Sequence, residues 1–195
     1  NQNYNTIMSN TLPQFFNYDE NKVDAGYEVL HDFFLSWTLR CAVDDYATFE
    51  NKVQHYSKRI LLHLLFENEF TLCKIISVKT KKQLGYIDLL VEVTLQTETD
   101  ELKEYVLNIE NKWYSNVLDS QLKKYSQVLS DIYSNSKAEI VSVVLFPDHL
   151  KLEENREVCE KYNYRMETFE VLKMLFENES YTENDLFDEF WFKFY

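Results

Sequence analysis

Three charged residues stand where the neighbouring sequence is apolar. Asp88 interrupts the run GYIDLLVEV, and Glu110 and Lys112 interrupt YVLNIENKW. A charge inside a buried strand is costly unless something pairs with it. Three such residues in two adjacent segments therefore point to a shared partner. Both segments are rich in β-branched and aromatic residues and read as strands, over 86–95 and 105–113. The stretch 96–100 between them is the most polar of the region and suits a turn. A hairpin symmetric about Thr99 sets Asp88 directly opposite Glu110, and such cross-strand neighbours have Cβ atoms about 4.5–5.5 Å apart. Two carboxylates that close repel unless a cation lies between them. Glu110 and Lys112 are two apart, so they leave the same face of their strand. That face offers two hard oxygen ligands and an ammonium. Mg²⁺ (or Mn²⁺) favours one or two carboxylates, several retained waters and a phosphate oxygen. Lys112 would orient a nucleophilic water or stabilise charge developing on phosphorus. The same residue types also make surface ion-pair ladders, but the flanking residues here are too apolar for an exposed face.

The elements that must position these residues follow from periodicity. Tyr27, Leu30, Phe34, Trp37 and Cys41 predict a helix over 24–41. Tyr46, Phe49, Val53, Tyr56, Ile60, His63 and Leu64 predict a second over 44–66. A first strand is expected over 70–78. Asn116, with Asp119 three positions on, is expected to cap a helix with the stripe Leu118, Leu122, Tyr125, Leu129 and Ile132. Residues 139–146 (EIVSVVLF) read as an interior strand ended by Pro147. A helix over 150–162 and a strand over 164–169 follow. Thr182 is the expected cap of a closing helix that carries Leu186, Phe187, Phe190, Trp191 and Phe194. This order makes an α/β domain with a mixed sheet and helices on both faces.

Composition sets the bounds. The chain has 195 residues, with 45% apolar residues and only two Gly and two Pro, which excludes a flexible linker and disorder. One domain over 1–195 is expected, with a core over about 25–147 and an α-rich extension over 148–195. No apolar run approaches a membrane span, and residues 1–10 lack the pattern of a signal peptide. The chain opens on Asn1 rather than Met, which leaves room for further sequence before it. Cys41, Cys73 and Cys159 lie far apart without metal-knuckle spacing, as in a reduced, cytoplasmic protein. The net charge of −13 argues against a protein that simply coats nucleic acid. The charge is uneven, however: Lys52, Lys58, Arg59, Lys74, Lys79, Lys81 and Lys82 crowd the middle, and acidic residues dominate from Asp148 on. His55 and His63 stand among core-like residues and His149 in a loop, so none reads as a ligand. The closing aromatic helix is expected either to pack on the core or to join two copies as a homodimer.

The ordered pattern resembles the PD-(D/E)XK nuclease superfamily, in which an Asp on the second strand precedes an E-x-K on the third. Residues 85–90 (GYIDLL) are similar to the family's Gly-x-x-Asp, and Glu110-Asn111-Lys112 to its E-x-K. Gln121 and Tyr125 match a Q-x-x-x-Y element of the branch that includes recombination exonucleases. Residues 28–37 (EVLHDFFLSW) resemble an E-x-x-H-(S/D)-x-x-L-x-W run of one subgroup, whose helical Glu contributes to the metal site. That subgroup usually follows the Trp with Asp-Pro and a Gly-rich turn, which residues 40–44 (RCAVD) replace here. The resemblance implies a restriction-endonuclease-like αβββαβ core and Mg²⁺-dependent hydrolysis of nucleic acid, DNA rather than RNA. It implies that Asp88 and Glu110 hold the metal with Glu28 in support. By the same resemblance Lys112 assists water, and Gln121 and Tyr125 position the site; His31, one turn after Glu28, is expected to pack or to position the helix. The alternative is a module that kept the fold for binding or regulation and lost the chemistry.

Overall fold

The computed structural model describes residues 26–84 and 86–193. Asp24 at the expected helix start, the Tyr27 side chain, Gly85, Phe194 and the polar segment 1–10 lie outside the described residues. The elements run α1 (Gly26–Arg40), α2 (Asn51–Phe66), β1 (Cys73–Leu84), β2 (Ile87–Thr97), β3 (Leu102–Asn111), α3 (Asp119–Ile132), β4 (Glu139–Phe146), α4 (Leu152–Lys161), β5 (Tyr164–Thr168), α5 (Phe169–Met174) and α6 (Asp185–Asp188). The five strands form one sheet in chain order. β1, β2 and β3 are antiparallel, whereas β3, β4 and β5 are mutually parallel. The α–βββ–α–β order and the mixed sheet flanked by helices are those expected from the sequence.

Two apolar layers cover the sheet. On one face α1, α2, α5 and the C-terminal aromatics pack on Leu89, Val91, Leu107, Ile109, Val143 and Leu145. On the other, α3 and α4 pack on Leu90, Val106, Val144 and Phe146 through Leu122, Tyr125, Leu129 and Cys159. Each fully buried Leu or Phe contributes about 1.5–3 kcal/mol. The C-terminal segment supplies β5 to the sheet, and it buries Phe187, Phe190 and Trp191 in the chain's own core. Among the described residues no helix is long and apolar enough to cross a membrane.

The β2–β3 hairpin is symmetric about Thr99, with pairs from Gln96↔Leu102 to Leu89↔Ile109. Its turn closes through Thr97 N–H to Glu101 O (2.9 Å), with Asp100 in the left-handed region at φ 61°. Asp tolerates that conformation because its short polar side chain bonds locally, and Gln96 Nε2 donates to its Oδ1 at 3.2 Å.

Several local expectations change. The helix expected over 44–66 is broken, with a 3-10 turn over Asp44–Thr48 before α2. Asp44 accepts from Lys58 Nζ at 2.8 Å, whereas one straight helix would set these residues about 21 Å apart. Strand β1 begins later than expected and runs through Lys79, Lys81 and Lys82 to Leu84. It is an edge strand, where lysines discourage further pairing, and Lys81 meets Glu92 of β2 at 2.7 Å. Asn116 caps nothing: Leu118 holds the N-cap of α3 without a side-chain bond, and Leu118 and Ile132 are exposed. Asn155 Oδ1 accepts from Val117 N at 2.7 Å, so contact with α4 sets the start of α3 instead. Asn184, not Thr182, caps the last helix by accepting from Phe187 N. The Thr182 hydroxyl donates to Asp188 Oδ1 at 2.6 Å.

Candidate active site

Strand β3 is buried from Tyr105 to Asn111, so each of its polar side chains requires a partner. Asn108 Nδ2 donates to Tyr164 OH at 2.6 Å and to Ser142 Oγ at 3.2 Å. Two positions on along the same face lies Glu110, 1% exposed. Its Oε1 receives Lys112 Nζ at 2.9 Å and Gln121 Nε2 from α3. Gln121 Nε2 also donates to Tyr125 OH at 2.7 Å, one helical turn along. Continuing the hairpin register by one step brings Asp88 opposite Glu110. The Asp88 Oδ2 accepts from Asn111 N at 3.0 Å.

The electrostatics of this pair are those of two acids crowded into a dry place. Burial first, then the negative charge of Asp88, pushes Glu110 up to about 8, against the pull of Lys112. Burial also raises Asp88, which the Asn111 amide, the Glu110 carboxyl and Lys112 partly offset. The two carboxyls are near enough to share one proton. Once both are ionised neither can donate, and Glu110 Oε2 is buried without a hydrogen-bond partner. Two hard oxygens, one of them without a donor, are a donor set that suits a divalent cation, on a face that also presents an ammonium. Burial and the nearby carboxylates hold the Tyr125 phenol well above its usual range, so it stays protonated as a hydrogen-bonding group.

Helix α1 reaches the same strand end from the other side of the sheet. Glu28 Oε1 accepts from Trp113 N at 2.9 Å. Trp113 Nε1 donates to His31 Nδ1 at 3.3 Å, and the two rings meet edge-on with centroids 4.3 Å apart. His31 is fully buried and packs as expected. Among the described residues no three His, Cys, Asp or Glu side chains gather around a common point. The structure therefore brings together Asp88, Glu110, Lys112, Gln121 and Tyr125, while Glu28 engages the backbone just beyond them. His63 pairs with Glu167 at 2.6 Å, His149 with Glu170 at the surface, and the three cysteines are free.

Two residues at the site stand inside the matched motifs but have no role assigned from the sequence. Asp32 is buried, and burial with the charge of Asp88 pushes it up to about 7. Asn111 Nδ2 donates to Asp32 Oδ1 at 3.2 Å and to Glu28 O at 3.3 Å. Asn111 thus ties α1 to Asp88, with its amide on one and its side chain on the other. The available signal was spacing: Glu28 and Asp32 are four apart, one helical turn, and Asp32 falls between His31 and Phe33.

No protein-family model matches the chain, and no curated protein matches it. A solved structure of EndoMS in its apo form is similar at 18% identity and a TM-score of 0.29, over 56% of this chain and 44% of that one. The chain thus spans less than half the length of that structure, and so partial a likeness carries no weight for activity.

Proposed function

We propose that the protein is a metal-dependent nuclease that hydrolyses phosphodiester bonds, with Asp88 and Glu110 holding Mg²⁺ or Mn²⁺. One observation supports this above the others: Glu110 and Asp88 are crowded, desolvated carboxyls with an unpartnered oxygen, next to an ammonium. The single Lys112 ammonium offsets at most one of the two charges, and a buried charge left uncompensated costs stability. When bound, a divalent cation acidifies water and offsets negative charge on the phosphate. The protein's own groups do the rest. Asn111 N and Gln121 Nε2 fix the two carboxylates, and Tyr125 steadies Gln121. Lys112 sits where it can orient water or meet charge developing on a phosphate oxygen. Glu28 supports the site by holding the Trp113 amide, which keeps the strand end in place. The preference for DNA over RNA comes from the family resemblance alone. A homodimer through the closing helix forms no part of this reading, because Phe187, Phe190 and Trp191 are buried within the chain.

The test is cleavage of plasmid and single-stranded substrates with Mg²⁺ or Mn²⁺, with calorimetric titration of Mn²⁺ alongside. Activity is expected in the wild type and absent in Glu110→Ala and Lys112→Ala. Cleavage that survives either substitution overturns the site. A wild type that neither cleaves nor takes up Mn²⁺ points to the inert module instead.

A further inference from the structure

Two exposed aromatic rings lie close in the chain to residues of the site, one on α1 and one at the entry to β2, against α3. Phe33 follows Asp32 on α1 and is 58% exposed, and Tyr86 precedes Asp88 by two residues and is 71% exposed. Single exposed aromatics are ordinary, but these two share a construction. Lys82 Nζ lies 3.6 Å from the centre of the Phe33 ring, and Lys124 Nζ lies 3.3 Å from that of Tyr86. Lys82 pairs with Leu89, next to Asp88, and Lys124 precedes Tyr125 on α3. Phe33 thus stands on α1, Lys82 on the strand paired with β2, Tyr86 just before β2 and Lys124 on α3. Tyr86 also sits at φ 74°, a strained conformation for a bulky residue, and such strain clusters at functional sites.

We propose that Phe33–Lys82 and Tyr86–Lys124 form a two-sided clamp for single-stranded nucleic acid, so that the site takes unpaired strands or frayed ends rather than intact duplex. The clamp rests on the nuclease reading above and names its substrate class. Unpaired bases offer a free face to a ring, whereas bases in a duplex already have both faces covered. Stacking of a base on an exposed ring outweighs the contact of an exposed ammonium with that ring. A base therefore displaces each lysine from its ring and leaves it free to meet the adjoining phosphate. In a chain of net charge −13, these ammonium groups also supply local positive charge beside the carboxylates.

The experiment is fluorescence anisotropy of a labelled oligothymidylate and a blunt hairpin duplex, in EDTA so that nothing is cleaved. Wild type should bind the single strand at least about tenfold more tightly than the duplex. Phe33→Ala and Tyr86→Ala should each weaken single-strand binding by about tenfold or more, and Tyr86→Phe should restore it. Lys82→Gln and Lys124→Gln should each reduce the salt dependence by about 0.7 in log–log slope. Thermal melts confirm folding; if Tyr86→Ala does not fold, Tyr86→Leu and the helix-surface Phe33→Ala carry the test. Equal affinity for both nucleic acids, or ring variants that bind as wild type does, overturns the clamp. Cleavage assays in parallel separate the two readings: Mn²⁺-dependent cleavage with ring-independent binding leaves the nuclease standing and removes the clamp. Ring-dependent single-strand binding without cleavage does the opposite.

Discussion

The two faces of strands β2 and β3 are built on opposite principles. Toward α1 and α2 the strands present Leu89, Val91, Leu107 and Ile109, all buried and apolar, with the polar Asn111 only at the strand end. Toward α3 the alternate positions present Asp88, Leu90, Val106, Asn108 and Glu110. Side chains alternate with a period of two, so one residue of slip would exchange the faces. The first face stabilises the sheet; the second carries polar groups that would be liabilities without the first.

Breaking the apolar face should have the largest effect on stability. Leu107→Ala should cost about 2–5 kcal/mol by urea denaturation and leave Mn²⁺ affinity per folded molecule unchanged. Glu110→Gln should do the reverse, abolishing Mn²⁺ binding while the metal-free protein stays at least as stable at pH 8. Equal destabilisation by both would erase the distinction between the faces.

The pH dependence should sharpen the comparison. Glu110 is raised from 4.5 to about 8 and Asp32 from 3.8 to about 7, so the folded chain keeps protons that the unfolded chain has released. Stability falls with pH wherever the folded state binds more protons. The metal-free protein should therefore lose stability as pH rises from about 4.5 toward 8, and Glu110→Gln should flatten the decline. Thermal melts across that range measure it, and a wild type with no slope would show that the acids are not crowded. The smallest effect belongs to Tyr125→Phe, which removes one hydrogen-bond acceptor worth about 1 kcal/mol. Its kcat should fall by less than about tenfold; a loss as deep as that of Glu110→Gln would put the phenol in the chemistry itself.

What was legible in the sequence was what depends on neighbours along the chain. The polar 96–100 stretch between two alternating segments was enough to centre the hairpin on Thr99, and with it to set Asp88 against Glu110. Gln121 and Tyr125 were legible only through the resemblance to the Q-x-x-x-Y element, and their spacing of four adds that both lie on one helical turn. Asp32 and Asn111 were not, because their bond joins residues 79 apart and depends on how α1 docks. Lys79, Lys81 and Lys82 fell outside the strand expected over 70–78, because edge strands tolerate a composition that interior strands do not. Asn116 looked like a cap, but the bond from Val117 to Asn155 on a later helix overrode local preference.

The Trp113 junction has a consequence for the order in which the protein becomes competent. Glu28 holds this backbone across 85 residues, and Trp191 reaches back 153 residues to Thr38 on the same helix. Contacts of such separation carry a loop-closure cost and form slowly. The strand end beside the carboxylates is therefore set only after distant parts of the chain have met. A partly folded chain can own every residue of the site and still lack the site. The geometry of the site is a property of the assembled fold rather than of any one segment.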